Sequence, residues 1–204
     1  MDFLKFFSGK YTGSSFKKEL KNILGFKPRN VSLYQTALTH RSIRENADEN
    51  NERLEYLGDA ILSALVADYL FKRYPYKEEG FLTEMRSKMV NRQQLNEIAV
   101  RMGLKKVTLY NKMDGALKVS QIFGNTLEAL VGAIYLDHGY KKTSKWVMEC
   151  IILEVLTPKF GFTIPSGISN GVNALPSKVK TPCVVPIQRV PLVSIIMLQS
   201  APIT

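Results

Sequence analysis

Carboxylate side chains are crowded between positions 45 and 59 of a sequence that is basic as a whole. Six acidic residues fall in this stretch, and Arg53 is the only base among them. At about 100° per residue, Glu52, Glu55 and Asp59 lie within a sector of about 60° on one helix. The same row continues into Leu62, an apolar position that should face a neighbouring helix. Carboxylates aligned with such positions repel one another and lose hydration, so they need a compensating cation.

A second set of oxygen ligands lies later in the chain. Glu128 is the only acid in the apolar run 119–136, and Asn125 precedes it by three residues, on the same helical face. Gly132 follows one turn later, where the missing side chain would let another helix approach closely. Carboxylate and amide oxygens favour Mg²⁺ or Mn²⁺ over zinc. The two segments together therefore predict a divalent-cation site between two helices.

Helices are the elements expected to position these side chains. The hydrophobic periodicity predicts an all-α domain, in which segments end at Gly and Pro positions and Val and Ile show no strand-like alternation. Beyond residue 157 the chain is rich in proline, and we expect an irregular C-terminal tail over 158–204, with a short N-terminal extension over 1–14. The predicted helices cover residues 15–24, 31–38, 51–74, 79–88, 91–101, 118–137 and about 140–156.

Composition narrows the class of protein. The chain has 204 residues and a formal net charge of +10, of which residues 161–204 carry +3 and the first 160 carry +7. Such a surplus suggests a polyanionic partner, usually nucleic acid. Two Cys and two His residues exclude a disulfide scaffold and a histidine-rich metal site. No segment reaches the length of a membrane span or matches a signal peptide, so we expect a cytoplasmic protein without a membrane partner.

The acidic segment also matches a known pattern. The stretch NERLEYLGDA at 51–60 resembles the signature of the ribonuclease III family. The resemblance extends upstream to LTHRS at 38–42 and downstream to Glu79-Gly80 and to TLEALVGAIYLD at 126–137. It covers about residues 15–157, which are assigned to the endonuclease domain, with the blocks in the family's order and spacing.

This resemblance implies an all-helical, homodimeric endoribonuclease. Such an enzyme uses Mg²⁺, for which Mn²⁺ can substitute, to hydrolyse double-stranded RNA during processing of ribosomal precursors and messages. The products carry 5′-phosphate and 3′-hydroxyl ends. Position by position, the resemblance assigns catalysis to Asp59 and Glu128, metal binding to Glu55, Asp59, Asn125 and Glu128, and accessory acidic roles to Glu52 and Glu79. RNA contacts are expected from Arg86, Lys88 and Arg92.

Two departures from the family pattern leave a second function open. Asn125 stands where many members have Asp, which removes one negative charge, and the tail does not resemble a double-stranded-RNA-binding domain. A non-catalytic RNA-binding or ribosome-assembly protein on the same fold is the alternative, although it would not need the retained carboxylates. A generic DNA-binding module would leave the inward-facing carboxylates unexplained. Tyr56 and Leu57 are expected in the core or dimer seam, and His40 as a hydrogen-bonded structural residue.

Overall fold

Helices account for the secondary structure. A computed structural model of the chain describes residues 14–114 and 119–156. Within these ranges there is no strand, only an isolated parallel bridge between Thr39 and Leu109. The helices are α1 (Ser14–Leu24), α2 (Val31–Ala37), α3 (Glu52–Arg73), α4 (Glu79–Met89), α5 (Arg92–Arg101), α6 (Leu104–Val107), α7 (Val119–His138), α8 (Tyr140–Val147) and α9 (Leu153–Val155).

The helix pair α3 and α7 forms the centre of the domain. Their contact is the most extensive between helices of the described part, and α5 packs on another side of α7. Two glycines permit this contact. A Cβ built on Gly58 would lie 1.7 Å from the carbonyl oxygen of Glu128, and one on Gly132 would lie 2.4 Å from the carbonyl oxygen of Leu54. The close approach predicted at Gly132 is confirmed, and Gly58 is its counterpart on α3.

The predicted helices are confirmed with ends within one or two residues of the expected positions. At the C-terminal end, helices were expected over about 140–156, and the structure has two α-helices there, α8 and α9. There α8 passes into a π-helical turn at Met148–Ile152 before α9. The short helix α6, which follows Gly103 with its φ of +84°, was also not predicted. The tail prediction for 158–204 and nearly all of the 1–14 extension lie outside the described residues.

None of the helices in the described ranges is both long and apolar enough to cross a bilayer. The core is apolar and continuous. On α3, for example, Leu54, Leu62 and Val66 are buried on the side that faces α7. Burial of such side chains is the main force that holds the helices together.

A buried aspartate fastens the start of α2 to the end of α7. The Asp137 carboxylate accepts hydrogen bonds from the backbone N–H of Arg29 at 2.9 Å, that of Asn30 at 3.0 Å and the Tyr34 hydroxyl at 2.9 Å. Its side chain is 3% exposed and lies 3.0 Å from His138 Nε2. Burial alone would raise the pKa of Asp137, but these donors and the His138 charge together lower it. An acid at a helix C-terminus is otherwise unfavourable, so its role here is to hold α2 and the segment just before it against the end of α7.

We expect Asp137→Asn to lower the free energy of unfolding by about 2 kcal/mol at pH 7, because one amide N–H would face backbone donors. Asp68→Asn is the matched control, since the Asp68 carboxylate pairs with Lys72 on the surface and its loss should change stability by less than about 0.5 kcal/mol. Urea unfolding measures both. Because the folded-state pKa of Asp137 lies below 3.8, the stabilisation should disappear as the pH falls through that lowered pKa. Equal stability of the two variants at pH 7 would contradict the view that Asp137 holds α2 against α7.

Candidate active site

A cavity of about 900 Å³ opens beside the α3–α7 contact. Its walls come from α3, α5 and α7 and from the loop that contains His40 and Arg41. Six of the residues singled out in the sequence line it together: Glu52, Glu55, Asp59, Arg92, Asn125 and Glu128.

The α3 wall runs from the protein surface inward. Glu55 is half-buried, whereas Glu52 and Asp59 are exposed at the cavity mouth. The row of acids is therefore less interior than its alignment with Leu62 suggested, because it lines an open cavity and not a packed interface. Tyr56 is 83% exposed, so it does not pack in the core of this chain, and its expected place in the dimer seam stays a prediction.

The α7 wall supplies Glu128 and Asn125. Burial, and then the charges of Asp59 and Glu55, raise the pKa of Glu128 to about 7, against the opposing charge of Arg92. Burial also raises the pKa of Glu55, although a hydrogen bond from the Asn125 side chain works in the other direction. Asn125 thus donates to a neighbouring carboxylate, which an aspartate at this position would instead repel.

Two arginines neutralise part of this acidic wall. Arg92, at the start of α5, donates to Gln121 Oε1 at 3.0 Å, and its charge lowers the pKa of Glu55 and Glu128. Arg41 donates to Glu52 Oε1 at 3.0 Å, at the opposite rim. Both pairs are exposed, so they position charge at the mouth of the cavity and contribute little to stability.

Three predicted residues do not line the cavity. Glu79, at the start of α4, accepts a hydrogen bond from the Thr83 hydroxyl at 2.6 Å. Lys88 pairs with Glu84 at 2.6 Å, and Arg86 is half-buried on the same helix. Their assigned roles at the accessory acidic position and in RNA contacts stay predictions.

Gly58 and Gln121 were not predicted from the sequence. Gly58 carried a detectable signal, because a glycine in the interior of a long helix is unfavourable and needs a packing reason. Gln121 carried none, since its position against Arg92 depends on how α5 and α7 pack. His40 was expected to be hydrogen-bonded, and its Nδ1 does accept from the backbone N–H of Ser42 at 3.1 Å.

The donor set suits a hard divalent cation. Four carboxylates and one amide oxygen line one cavity, and burial, followed by the charges of Asp59 and Glu55, raises the pKa of Glu128. Oxygen ligands of this kind fit Mg²⁺ or Mn²⁺. In residues 14–114 and 119–156, no three His, Cys, Asp or Glu side chains converge on a single metal position. The carboxylates share a cavity without forming a closed cage.

Known proteins resemble the chain in both sequence and fold. Ribonuclease 3 of Bacteroides thetaiotaomicron is 46% identical over 134 residues, which are 64% of this chain and 43% of that protein. Ribonuclease 3 of Phocaeicola vulgatus is 49% identical over 131 residues, which are 62% of this chain and 42% of that protein. The matched region thus spans less than half of either relative.

A solved structure supports the same assignment. The nuclease domain of ribonuclease III from Campylobacter jejuni, described for flexibility in a region involved in dimer formation, superposes with a TM-score of 0.61 at 32% identity. The match covers 66% of this chain and 94% of that one. The family described as Ribonuclease-III-like matches residues 30–155, which include α2 to α9 and every carboxylate of the cavity. The chain therefore belongs to the ribonuclease-III-like family.

Proposed function

We propose that this chain is a divalent-metal-dependent endoribonuclease that hydrolyses double-stranded RNA. The observation that supports this most directly is the meeting of Glu55 and Asp59 from α3 with Asn125 and Glu128 from α7 in one cavity. Its relatives are named Ribonuclease 3, which agrees with this chemistry. A purely RNA-binding protein would have no use for this cluster of carboxylates. Their charges raise the pKa of Glu128, and they would repel the phosphate backbone of RNA.

Those four residues would hold the metal ion, with Mg²⁺ as the proposed cofactor and Mn²⁺ as a substitute. When bound, the ion supplies an activated water and stabilises negative charge on the phosphate. Asp59 and Glu128 are the proposed catalytic carboxylates. Asn125 orients Glu55 by its hydrogen bond, and the half-buried Glu128 offers a carboxylate whose partial desolvation favours cation binding over hydration.

The charge distribution suits a duplex substrate. RNA helices are bound through phosphates and 2′-hydroxyls. A basic surface therefore attracts the RNA backbone, while the acidic pocket within it holds the metal ion where the phosphodiester bond is cleaved. Arg92 is exposed at the cavity mouth, where it can contact a phosphate on entry. Water is the proposed nucleophile, which leaves a 5′-phosphate and a 3′-hydroxyl. The proposed setting is the cytoplasm.

A cleavage assay tests this function. The purified chain with Mg²⁺ should cut a long RNA duplex into short duplexes with 5′-phosphate ends, but it should leave a DNA duplex of the same sequence intact. EDTA should stop the reaction. Binding of the RNA duplex by folded protein without any cleavage would favour the non-catalytic alternative, and absence of both would exclude an RNA function for this chain.

We further propose that the enzyme is a homodimer that associates through α3. Tyr56, Ala60, Ala64 and Phe71 are exposed and lie within about 80° on this helix. Tyr56 is 83% and Phe71 70% exposed, which is unusual for aromatic side chains of a monomer. The Campylobacter jejuni nuclease domain is described as having a region involved in dimer formation.

We expect Phe71→Glu to convert the dimer to a monomer at micromolar concentration, because it would bury a charge without a partner. Sedimentation equilibrium measures the change in mass. Tyr140→Glu is the control, since Tyr140 is 54% exposed but lies at the start of α8, away from this surface. Unchanged mass for Phe71→Glu, or monomers from both variants, would exclude the α3 surface as the interface.

A further inference from the structure

The loop that carries His40 is held rigidly in the cavity wall. The backbone N–H of His40 donates to the Leu109 carbonyl at 2.8 Å, and the N–H of Leu109 donates to the Leu38 carbonyl at 2.8 Å. On the other side, the N–H of Asn51 donates to the Thr39 carbonyl at 2.9 Å. These bonds tie the loop both to the segment after α6 and to the start of α3, so a side chain on it has little freedom to move.

The hydrogen bonds of the His40 ring define its tautomer. The backbone N–H of Ser42 donates to Nδ1 at 3.1 Å, so Nδ1 carries no proton. The Ser42 hydroxyl oxygen lies 2.9 Å from the same nitrogen and accepts the Asn111 backbone N–H at 3.0 Å. The ring is therefore neutral, and its one proton is on Nε2. Burial, followed by the Arg41 charge, lowers the pKa of His40 against the opposing charge of Glu52, which agrees with a neutral ring.

Asn51 adds a second donor to the same cavity. Its side chain lines the same cavity, is 1% exposed, and its Nδ2 has no hydrogen-bond partner among the described residues. A buried amide N–H without a partner is costly, and in a working site it marks a group that bonds to a ligand. Both Nε2 of His40 and Nδ2 of Asn51 can only donate, so neither can bind a metal ion.

We propose that His40 and Asn51 together bind a phosphate group of the RNA backbone. This proposal rests on the proposed function. The carboxylates of α3 and α7 can hold a cation but repel phosphate oxygens. Uncharged donors on the adjoining wall supply the missing attraction and place the phosphate next to the metal ligands. A mobile lysine at this position would pair with the carboxylates. His40 and Asn51 are neutral and rigidly held, so they orient the phosphate without forming such ion pairs. His40 and Asn51 are thus substrate-binding residues.

Two substitutions at His40 separate this role from a structural one. Asn places an acceptor where Nδ1 lies and keeps the Ser42 contact, but it has no donor at the Nε2 position. Gln reaches the Nε2 position with an amide donor but loses that contact. Duplex RNA affinity, measured without divalent metal, should fall on the order of tenfold in His40→Asn and stay within about threefold of the parent chain in His40→Gln. A structural role predicts the reverse order, and thermal unfolding reports it directly.

Asn51→Asp provides an independent arm of the test. It keeps the shape and the other oxygen of the side chain but replaces the donor with a negatively charged oxygen, which repels phosphate, and we expect RNA affinity to fall on the order of tenfold or more. Parent-level affinity in folded His40→Asn and folded Asn51→Asp would overturn the proposal. If the unsubstituted chain itself neither binds nor cuts duplex RNA, the proposed function fails instead. If the unsubstituted chain binds and cuts duplex RNA and the variants do so equally well, the phosphate site is wrong but the proposed function stands.

Discussion

Glu128→Gln should reduce duplex cleavage about a thousandfold or more, because it removes a carboxylate that the proposed metal and the activated water both require. Binding of the RNA duplex should persist, since the substitution removes a negative charge from the cavity. Single-turnover cleavage and a retention assay on the same protein measure the two effects. Full activity of Glu128→Gln would refute the site assignment.

The same substitution should stabilise the metal-free protein in a pH-dependent way. Glu128 has its pKa raised from the ordinary 4.5 to about 7 in the folded state. Below pH 4.5 the carboxyl is protonated in both folded and unfolded chains and costs nothing. As the pH rises towards 7, only the unfolded chain releases the proton readily, so folding becomes less favourable.

At pH 8 in EDTA, Glu128→Gln should therefore raise the free energy of unfolding on the order of 2 kcal/mol, and at pH 4 it should not change it. Denaturant unfolding at both pH values measures this difference. Glu84→Gln is the control, because Glu84 is exposed and forms a surface ion pair with Lys88. A variant that is less stable than the parent at pH 8 would mean that Glu128 serves the fold and not a cation.

Gly58→Ala should destabilise the domain by about 3 kcal/mol or more, because the new methyl group would overlap backbone atoms that cannot move aside by a side-chain rotation. The added Cβ would lie 1.7 Å from the Glu128 carbonyl oxygen and 2.9 Å from the Gly132 nitrogen. To accommodate it, α3 and α7 must separate. Since these helices carry the two halves of the carboxylate set, cleavage should be lost even in protein that remains folded.

Gly80→Ala is the matched control for this prediction. Gly80 is also helical, in α4, but nothing lies within 4 Å of an added Cβ there. It should therefore stabilise the protein by about 0.5 kcal/mol through its better helix propensity. Thermal unfolding and cleavage rates of both variants test the idea. If Gly58→Ala folds and cleaves like the parent, close contact between α3 and α7 is not what assembles the site.

Much of this molecule was predictable because it depends on local pattern. The bounds of α3 and α7 follow from periodic apolar residues and from Gly and Pro breaks, and these predictions are confirmed. The isolated Glu128 in an apolar helix, three residues after Asn125, already indicated a specific partner. The motif at 51–60 indicated the family, which the comparisons confirm. The roles of these residues in catalysis remain predictions.

What the sequence by itself determined is which residues share a helix face, since that depends only on the 100° turn between neighbours. Only the tertiary structure decided which faces meet. It placed Arg92 in the cavity but left Glu79 and Lys88 outside it, exposed Tyr56, and brought His40 beside Asn51. Such contacts join residues far apart in the chain, and they depend on how closely helices pack. At Gly58, the two helices can pack this closely because glycine has no side chain.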